Sequence, residues 1–304
     1  MAERPIIPII AGPTAVGKTS TSLRVANELN AEIISADSRQ IYRDFRIVTA
    51  APTAKELAMV PHHLIQEIEL SEPYSAGIFA KRIGPIAEDL QLRNTGAVVA
   101  GGSTLYVHAL LEGLSDIPAV DESIRAELNA RFELEGSHEM YRELLREDPT
   151  FAATLDATKS QRIIRGLEVF MGTGRALSSF HTPPPLSSFD FRLFVLFRER
   201  SELYKRIDER VDEMVDEGLL DEVSRIYAEN ALSDFNSLKT IGYQELVPHL
   251  KGEISLKEAI DLMKRNSRRY AKRQLTWYSR YDSATWIDVD GTDAAAAIIS
   301  AIKA

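Results

Sequence analysis

The 304-residue sequence contains no cysteine, which excludes disulfide bonds, a cysteine nucleophile and every zinc site that depends on thiolate ligands. No apolar run approaches the roughly 20 residues that span a bilayer. Residues Met1 to Pro5 lack the basic start, apolar middle and cleavage site of a signal peptide. These absences together predict a cytoplasmic protein with no membrane segment.

Basic residues are fewer than acidic ones, and the net charge of −9 argues at first against binding to nucleic acid. The charges are unevenly distributed, however. The segment Glu199 to Glu222 holds ten acidic and four basic residues, whereas Lys264 to Arg280 holds seven basic residues and no acidic one. Cations hold phosphates and aromatic rings stack on unpaired bases, so this second segment favours contact with nucleic acid. The aromatic residues within it or at its edge are Tyr270, Trp277, Tyr278 and Tyr281.

A glycine-bounded turn near the start of the chain carries the clearest motif. Gly12 to Thr19 matches the phosphate-loop pattern G-x-x-x-x-G-K-[ST] at every fixed position. The inward-pointing N–H groups of such a loop form an anion cradle, and the following helix adds the positive end of its dipole. Lys18 can reach a terminal phosphate and Thr19 can offer a hydroxyl to Mg²⁺. The motif predicts that a polyphosphate binds here, without saying which one.

Alternating apolar strands and helices predict an α/β fold, with a P-loop NTPase-like parallel sheet core and a helical insertion domain. Strands are predicted at 6–11, 32–36, 62–68, 96–100, 191–197 and 284–289, and helices of the core at 18–29, 76–92, 105–111, 201–217, 219–229, 256–281 and 292–303. The insertion shows only helical patterns, at 122–135, 138–147 and 160–171. A proline-rich stretch at 181–185 predicts a stiff linker. The predicted domains are 1–115 with 189–304, and 116–188.

The ends of two predicted strands bear on the chemistry. Asp37 follows the strand at 32–36, and ligands of open α/β sheets bind beyond the carboxyl ends of strands. This carboxylate either holds Mg²⁺ through water or acts as a general base. The strand at 96–100 lacks the acidic residue of a Walker B strand and ends in Gly101-Gly102, a turn that would let a substrate approach the backbone. A plain ATPase is disfavoured, while a kinase stays open.

Two arginines of the acidic segment lie four residues apart and share a helix face. Arg206 and Arg210 either pair with acidic neighbours or clamp a phosphate. The candidate acidic partners are Glu202, Asp208, Glu209 and Asp212.

Taken together, the motifs resemble those of the tRNA dimethylallyltransferase family, also called tRNA isopentenyltransferases. The resemblance covers nearly the whole chain, in seven motifs that occur in the family's order. These are Gly12 to Thr19, Ala36 to Tyr42, Val60 to Leu64, Gly101 to Tyr106, Gln161 to Val169, Lys239 to Tyr243 and Lys272 to Trp277. Because the chain has no cysteine, it lacks the zinc finger of many eukaryotic members, which favours the bacterial type.

The resemblance implies transfer of a dimethylallyl group from dimethylallyl diphosphate to the exocyclic N6 amine of the adenosine 3′ of the anticodon in tRNA, with release of pyrophosphate. The adenosine would be flipped out of the anticodon loop, where extrusion costs least. The partners implied are the tRNA anticodon stem-loop and dimethylallyl diphosphate, the cofactor is Mg²⁺, and the active form is a monomer.

The same resemblance implies residue roles. Asp37 would be the base, and Lys18 and Arg210 would hold the diphosphate. The diphosphate-binding loop would be Gly12, Pro13, Thr14, Ala15, Val16, Gly17, Lys18 and Thr19, with the Thr19 hydroxyl on the Mg²⁺ side. The tRNA contacts would be Asp37, Ser38, Arg39, Gln40, Ser103, Arg125, Gln161, Arg162, Ile163, Ile164, Arg165, Lys239, Thr240, Ile241, Gly242, Tyr243, Gln244, Lys272, Arg273, Gln274, Leu275, Thr276, Trp277, Tyr278 and Ser279.

The sequence departs from the family pattern at three places, which affects substrate affinity more than reaction class. Ala51 replaces a lysine, Thr104 replaces a glycine, and Ser279 stands where an arginine is common. Three alternatives remain open. They are an isopentenyltransferase acting on free AMP, ADP or ATP, a P-loop kinase of a small metabolite, and a non-catalytic RNA-binding protein.

Overall fold

The computed structural model describes residues 4–180 and 188–304. The chain divides into two compact units, Met1–Leu111 with Leu186–Ala304, and Glu112–Pro185. The sequence predicts boundaries at 116 and 188, and the predicted linker at 181–185 lies outside the described residues. None of the helices within the described ranges has the length and apolar composition needed to cross a membrane.

The first unit is built on a six-stranded parallel sheet of order β3-β2-β4-β1-β5-β6. Its strands are β1 (Ile6–Ala11), β2 (Ala31–Ser35), β3 (His62–His63), β4 (Gly96–Gly101), β5 (Asp190–Phe197) and β6 (Thr285–Asp288). The central strands are apolar and buried on both faces, as is usual for a parallel sheet covered by helices. The predicted α/β core is therefore confirmed.

The helices carry the apolar periodicity that the sequence shows. In chain order they are α1 (Lys18–Glu28), α2 (Ala54–Met59), α3 (Ala76–Leu92), α4 (Thr104–Leu111), α5 (Glu122–Glu135), α6 (Ser137–Glu147), α7 (Pro149–Ala152), α8 (Ser160–Thr173), α9 (Arg200–Asp216), α10 (Leu219–Asn230), α11 (Tyr243–Leu250), α12 (Leu256–Tyr278) and α13 (Ala294–Lys303). Short 3₁₀ helices span Leu177–Phe180 and Asn236–Leu238.

Side chains alternate along β1 between two hydrophobic layers. Ile7, Ile9 and Ala11 belong to one core cluster together with buried residues of α3, α4 and α10. Ile10 belongs to the other, with residues of α1 and α13. The sheet is thus enclosed between two helical layers, which leaves its strand ends as the place where polar side chains can converge.

The second unit is helical, and α5, α6, α7 and α8 pack around a small core of their own. Its fully buried side chains are Leu128, Met140, Leu144, Ala152, Ile163, Ile164 and Leu167. The buried Asp148 carboxylate accepts hydrogen bonds from the backbone N–H of Phe151 at 3.0 Å and of Ser178 at 2.8 Å. This carboxylate ties the start of α7 to the 3₁₀ helix at the end of the unit.

Most elements start and end within a few residues of their predicted positions, and the differences have local causes. The predicted strand at 62–68 is only His62–His63, because Leu64 and Gln66 adopt positive φ angles of 63° and 51° and turn the chain. The helix α2 was not predicted, although Thr53 and Glu56 form a capping box at its start. The helix α12 ends at Tyr278 and not at 281.

Candidate active site

The carboxyl ends of the central strands bring together segments that are far apart in the sequence. β1 leads into the phosphate loop, β2 leads into Asp37, and β4, which lies between them in the sheet, ends at Gly101. A cavity of about 700 Å³ lies at this edge. The residues around it that bear most on its chemistry are Thr14, Lys18, Thr19, Asp37, Arg39, Gln40, Thr49, Gly102, Arg206, Arg210, Met214, Lys239, Gln244, Met263, Tyr270, Arg273 and Gln274.

The phosphate loop has the geometry that its glycines allow. Gly12 has a φ of 149°, and a Cβ there would lie 2.6 Å from the carbonyl oxygen of Leu196. Gly17 has a φ of 110° and immediately precedes α1, so the helix begins at Lys18. Two arginines brace the loop, because Arg206 Nε donates to the Ala15 carbonyl at 3.1 Å and Arg198 Nε donates to the Val16 carbonyl at 3.1 Å.

Lys18 is partly buried against the loop. Its Nζ donates hydrogen bonds to the carbonyl oxygens of Gly12 at 3.1 Å and Pro13 at 2.8 Å. Burial, and to a smaller extent the nearby Arg210 guanidinium, lower the pKa of Lys18 to about 8, while the Asp37 carboxylate opposes both effects. Two cationic groups share this end of the cavity, and an anion placed there would stabilise both.

The structure contradicts one of the two predictions for Arg206 and Arg210, namely pairing with acidic neighbours. Neither forms an ion pair within residues 4–180 and 188–304, and three of the four candidate acidic residues have other partners. Asp208 pairs with Arg268, Asp212 pairs with Lys264 at 2.6 Å, and Glu209 lies 3.8 Å from Lys205. Burial lowers the pKa of Arg210, while the Glu213 and Asp37 carboxylates oppose that shift. Both arginines line the cavity and remain available for an anion.

Asp37 is held by one oxygen and leaves the other uncommitted. Its Oδ1 accepts hydrogen bonds from the backbone N–H of Arg39 at 2.9 Å and Gln40 at 3.3 Å. Its Oδ2 has no hydrogen-bond partner among the described residues. The neighbouring Ser38 N–H donates to the Oγ of Ser103 at 2.8 Å. Asp37 is therefore fixed in orientation, and its second carboxylate oxygen is free of hydrogen bonds to the described residues.

The end of β4 has no room for the acidic side chain that a Walker B strand carries. A Cβ at Gly101 would lie 2.2 Å from the Ala36 carbonyl oxygen, and a Cβ at Gly102 would lie 2.4 Å from Gln274 Nε2. The close approach predicted for a substrate at these glycines is made by the protein itself. No side chain fits at Gly101, and the carboxylate that lines the cavity beyond the neighbouring strand β2 is Asp37.

The structure brings several predicted tRNA-contacting segments to this same cavity. Residues of 38–40, 239–244 and 273–274 line it. Some of their side chains have internal roles, however. Gln40 donates to the carbonyls of Thr49 and Ala50 at 3.2 and 3.1 Å, and Arg39 donates to the carbonyl of Asn236 at 2.7 Å. The N–H of Gly242, whose φ is 100°, donates to Glu245 at 2.6 Å.

Other predicted contacts are not among the residues that line the cavity. Ile163 and Ile164 are core residues of the helical unit, whereas Gln161 and Arg162 are exposed. In that unit Arg125 pairs with Glu168 at 2.9 Å and donates to Gln161 at 3.0 Å, and Arg165 also pairs with Glu168 at 2.9 Å. On α12, Tyr278 is fully buried, while Lys272, Thr276 and Ser279 are exposed.

The basic segment of α12 is less uniformly available than its sequence suggests. Lys264 and Arg268 pair with acidic residues of α9. The guanidinium of Arg273 lies 5.6 Å from the Tyr270 ring centroid, and that of Arg280 lies 3.9 Å from the Trp277 ring centroid. Arg265, Arg269 and Lys272 are exposed, and they form no ion pair with any described residue. The neutralisation of Lys264 and Arg268 depends on the packing of α12 against α9, which the sequence alone does not show.

The residues present fit an Mg²⁺ ion that is held chiefly by a phosphate ligand. The Thr19 hydroxyl lines the cavity and makes no hydrogen bond within the described part of the chain. No group of three or more histidine, aspartate or glutamate side chains suited to a metal ion occurs among the described residues. This is compatible with Mg²⁺, which keeps several waters and is bound through one or two protein groups plus phosphates.

Two bracing residues were not predicted as functional. Arg198 follows β5 directly, and its position beside the carboxyl end of a central strand is the signal that could have identified it. Glu222 of α10 accepts hydrogen bonds from the N–H groups of Arg46, Ile47 and Val48 at 3.2, 2.8 and 2.9 Å. It holds the loop that carries Val48 and Thr49 into the cavity wall, and nothing in the local sequence indicates this contact.

Comparison with known proteins gives a consistent assignment. A family model described as IPP transferase matches residues 40–281. A tRNA dimethylallyltransferase of Salinibacter ruber is 50% identical over 286 residues, covering 94% of this chain and 88% of that protein. A tRNA dimethylallyltransferase of Chlorobium chlorochromatii is 45% identical over 293 residues, covering 94% of both chains.

Solved structures agree with the sequence comparisons. A tRNA isopentenylpyrophosphate transferase from Bacillus halodurans superposes with a TM-score of 0.71 at 39% identity, covering 99% of this chain and 95% of that one. A eukaryotic dimethylallyltransferase described as acting on tRNA superposes with a TM-score of 0.79 at 28% identity, covering 95% of this chain and 74% of that one. Since the family model spans most of the sequence and the relatives match nearly all of it, the chain belongs to the IPP transferase family, the family of these tRNA dimethylallyltransferases.

Proposed function

We propose that this protein transfers the dimethylallyl group of dimethylallyl diphosphate to the N6 amine of the adenosine 3′ of the anticodon in tRNA. The observation that carries the proposal is the arrangement of one cavity. Its lining joins a phosphate loop with Lys18 and Arg210 to Asp37, whose Oδ2 is uncommitted. This reaction requires groups that stabilise the leaving diphosphate and a group that accepts the proton of the amine.

The cavity wall also suits an isoprenoid. Ile207, Val211 and Met214 of α9 line it on the same helix as Arg210, and Val48 and Met263 add further apolar surface. Apolar lining beside a cationic end fits a short hydrocarbon that ends in a diphosphate. This wall favours a prenyl donor over the ATP that a metabolite kinase would require.

The bond changes follow from this placement. The N6 amine attacks the primary allylic carbon, a C–N bond forms, and the C–O bond to the diphosphate breaks. The charge that develops on the leaving oxygen is stabilised by the loop N–H groups, Lys18 and Arg210. Asp37 Oδ2 takes the proton that the amine loses. The products are the prenylated adenosine and pyrophosphate.

We propose that Mg²⁺ accompanies the diphosphate and that the Thr19 hydroxyl lies on its side of the site. Bound there, the ion would neutralise phosphate charge and so make pyrophosphate a better leaving group.

Tyr270 also lines the cavity, and burial raises the pKa of its hydroxyl to about 12. Its ring therefore remains neutral at physiological pH and is suited to stack on an extruded base.

The pKa of Lys18 predicts how affinity for the diphosphate depends on pH. Lys18 carries its charge below about pH 8, and an ammonium is needed to hold phosphate oxygens, so affinity should fall as pH rises through this value. We expect calorimetric titration with inorganic pyrophosphate from about pH 6.5 to about 9.5 to show progressively weaker binding above the pKa. The Lys18→Met variant corrects for titration of pyrophosphate itself. The same pH dependence in both proteins would contradict the assignment.

We expect the exposed cations of α12 to form part of the RNA-binding surface. Replacing Arg269 and Lys272 together by glutamate should weaken tRNA binding about tenfold or more, and should reduce the slope of log K against log salt by about two. Filter binding at several salt concentrations measures both quantities. Lys81→Glu with Lys303→Glu is the matched control, because it makes the same change of charge at exposed positions of α3 and α13. Equal losses in the two double variants would place the RNA elsewhere.

One assay separates the proposed function from its alternatives. The protein is incubated with Mg²⁺, labelled dimethylallyl diphosphate and either bulk tRNA or AMP, and the nucleosides are then analysed. Label in an adenosine of tRNA is the expected result, label in AMP would indicate a free-nucleotide transferase, and no transfer would overturn the proposal. We also propose that a monomer is active, and that it acts in the cytoplasm on the anticodon stem-loop.

A further inference from the structure

The side chain of Gln274 joins two walls of the cavity. It is 2% exposed, although it belongs to α12, whose neighbouring residues Lys272 and Arg273 are exposed. Its Oε1 accepts a hydrogen bond from the Thr14 N–H at 3.3 Å, and its Nε2 donates to the Gly102 carbonyl at 2.7 Å. One amide thus bridges the phosphate loop and the turn after β4.

The bridge continues toward the proposed base. Gly102 is followed by Ser103, which is 7% exposed and whose Oγ accepts the Ser38 N–H at 2.8 Å. Ser38 follows Asp37 directly. The chain of contacts from Thr14 through Gln274, Gly102, Ser103 and Ser38 therefore connects the loop that holds the leaving group to the residue that takes the proton.

The space around the bridge is fully used. A Cβ at Gly102 would lie 2.4 Å from Gln274 Nε2 and 3.4 Å from the Gly12 carbonyl oxygen. A buried amide with both of its polar ends bonded is held in one orientation, and removal of one end leaves a buried group unsatisfied. Since Gln274 is nearly inaccessible, its side chain is poorly placed to contact RNA directly.

We infer that Gln274 is a positioning residue that sets the separation between the phosphate loop and Asp37. The inference rests on the proposed function, because it concerns the alignment of the allylic carbon between a diphosphate and an amine. Misplacement of reacting groups by about 1 Å can reduce a rate about a hundredfold while binding persists. Gln274 therefore acts on the rate at saturating substrates and not on tRNA affinity.

The test replaces Gln274 with methionine, which has a similar shape but no amide. We expect kcat to fall about 10- to 100-fold, the Kd for tRNA to change less than about twofold, and the thermal unfolding midpoint to show that the protein is folded. Gln91→Met, an exposed substitution on α3, is the matched control. A raised tRNA Kd with an unchanged kcat would assign Gln274 to RNA contact, and unchanged values of both would also overturn the inference.

A second variant tests the same bridge from its other side. Gly102→Ala places a methyl group against Gln274 Nε2, and it should lower kcat in the same way. It therefore tests the bridge even if Gln274→Met fails to fold. In the double variant the two losses should be less than multiplicative, since both remove one bridge. Multiplicative losses would contradict the inference. Wild-type protein is included in each assay, so that failure of the proposed function can be told from failure of the inference about Gln274. Absence of transfer by the wild type would overturn the proposed function itself.

Discussion

Asp37→Asn should lower kcat by about 10²- to 10⁴-fold, the range expected for loss of a positioned general base. The substitution is chosen because the asparagine Oδ1 can still accept the N–H groups of Arg39 and Gln40, which Asp37 Oδ1 accepts in the structure. The loop should therefore keep its shape, while the group at the Oδ2 position can no longer take a proton. Single-turnover transfer of labelled dimethylallyl to tRNA measures the effect.

The controls for Asp37→Asn separate chemistry from binding. Affinity for tRNA should remain close to wild type, because no ion pair of Asp37 with a described residue is lost. Asp216→Asn, an exposed change on α9, removes the same charge away from the cavity and should leave the rate unchanged. A variant Asp37→Asn that retained most of its turnover would show that another group, or water, receives the amine proton.

Lys18→Met should lower kcat by about 10²- to 10³-fold, which is comparable to loss of one donor from a site that stabilises a developing oxyanion. Lys18 lies beneath the loop, with Nζ bonded to the carbonyls of Gly12 and Pro13. These two hydrogen bonds fix the position of the ammonium beside the loop, where the proposed reaction would place the leaving diphosphate. The affinity for pyrophosphate should fall as well, since product and leaving group make the same contacts.

The measurement for Lys18→Met is the same single-turnover assay, combined with pyrophosphate titration and thermal unfolding. Unfolding data are needed because the two loop carbonyls lose a donor, which would relax the loop. Lys81→Met, at an exposed position of α3, controls for loss of a lysine charge. Normal turnover with weak pyrophosphate binding would restrict Lys18 to ground-state binding.

Much of the fold could be predicted because the local pattern encodes it. The helices α3 and α5 have the predicted bounds, and β1, β4 and β5 lie within one residue of theirs. Their apolar spacing and glycine boundaries are local signals. The strand at His62–His63 was predicted too long, because the positive φ angles of Leu64 and Gln66 are not usual for those residue types.

The candidate site was predictable in part, for a related reason. Glycines of the loop are required by backbone geometry, so Gly12 to Thr19 is visible in the sequence alone. The family assignment from ordered motifs is confirmed by the comparisons. The individual roles of Asp37, Lys18 and Arg210 stay predictions that the experiments above address.

The basic segment of α12 shows where local interpretation was insufficient. No acidic residue lies within the range Lys264 to Arg280, yet Lys264 and Arg268 are neutralised by Asp212 and Asp208 of α9. The same contacts leave Arg206 and Arg210 without those acidic partners. A pairing between two helices depends on which faces pack together, and sequence distance contains no information about that.

The sequence by itself determined the phosphate loop, the position of Asp37 after a strand, the absence of an acid after β4 and the family. Each of these depends on residue type at a fixed local spacing. Only the tertiary structure decided which cations line the cavity and which pair with acidic residues of α9. It also decided that Gln274 connects Thr14 to Gly102. Those contacts join residues 260 and 172 positions apart, and they exist only because the packed sheet and helices hold the groups within hydrogen-bonding distance.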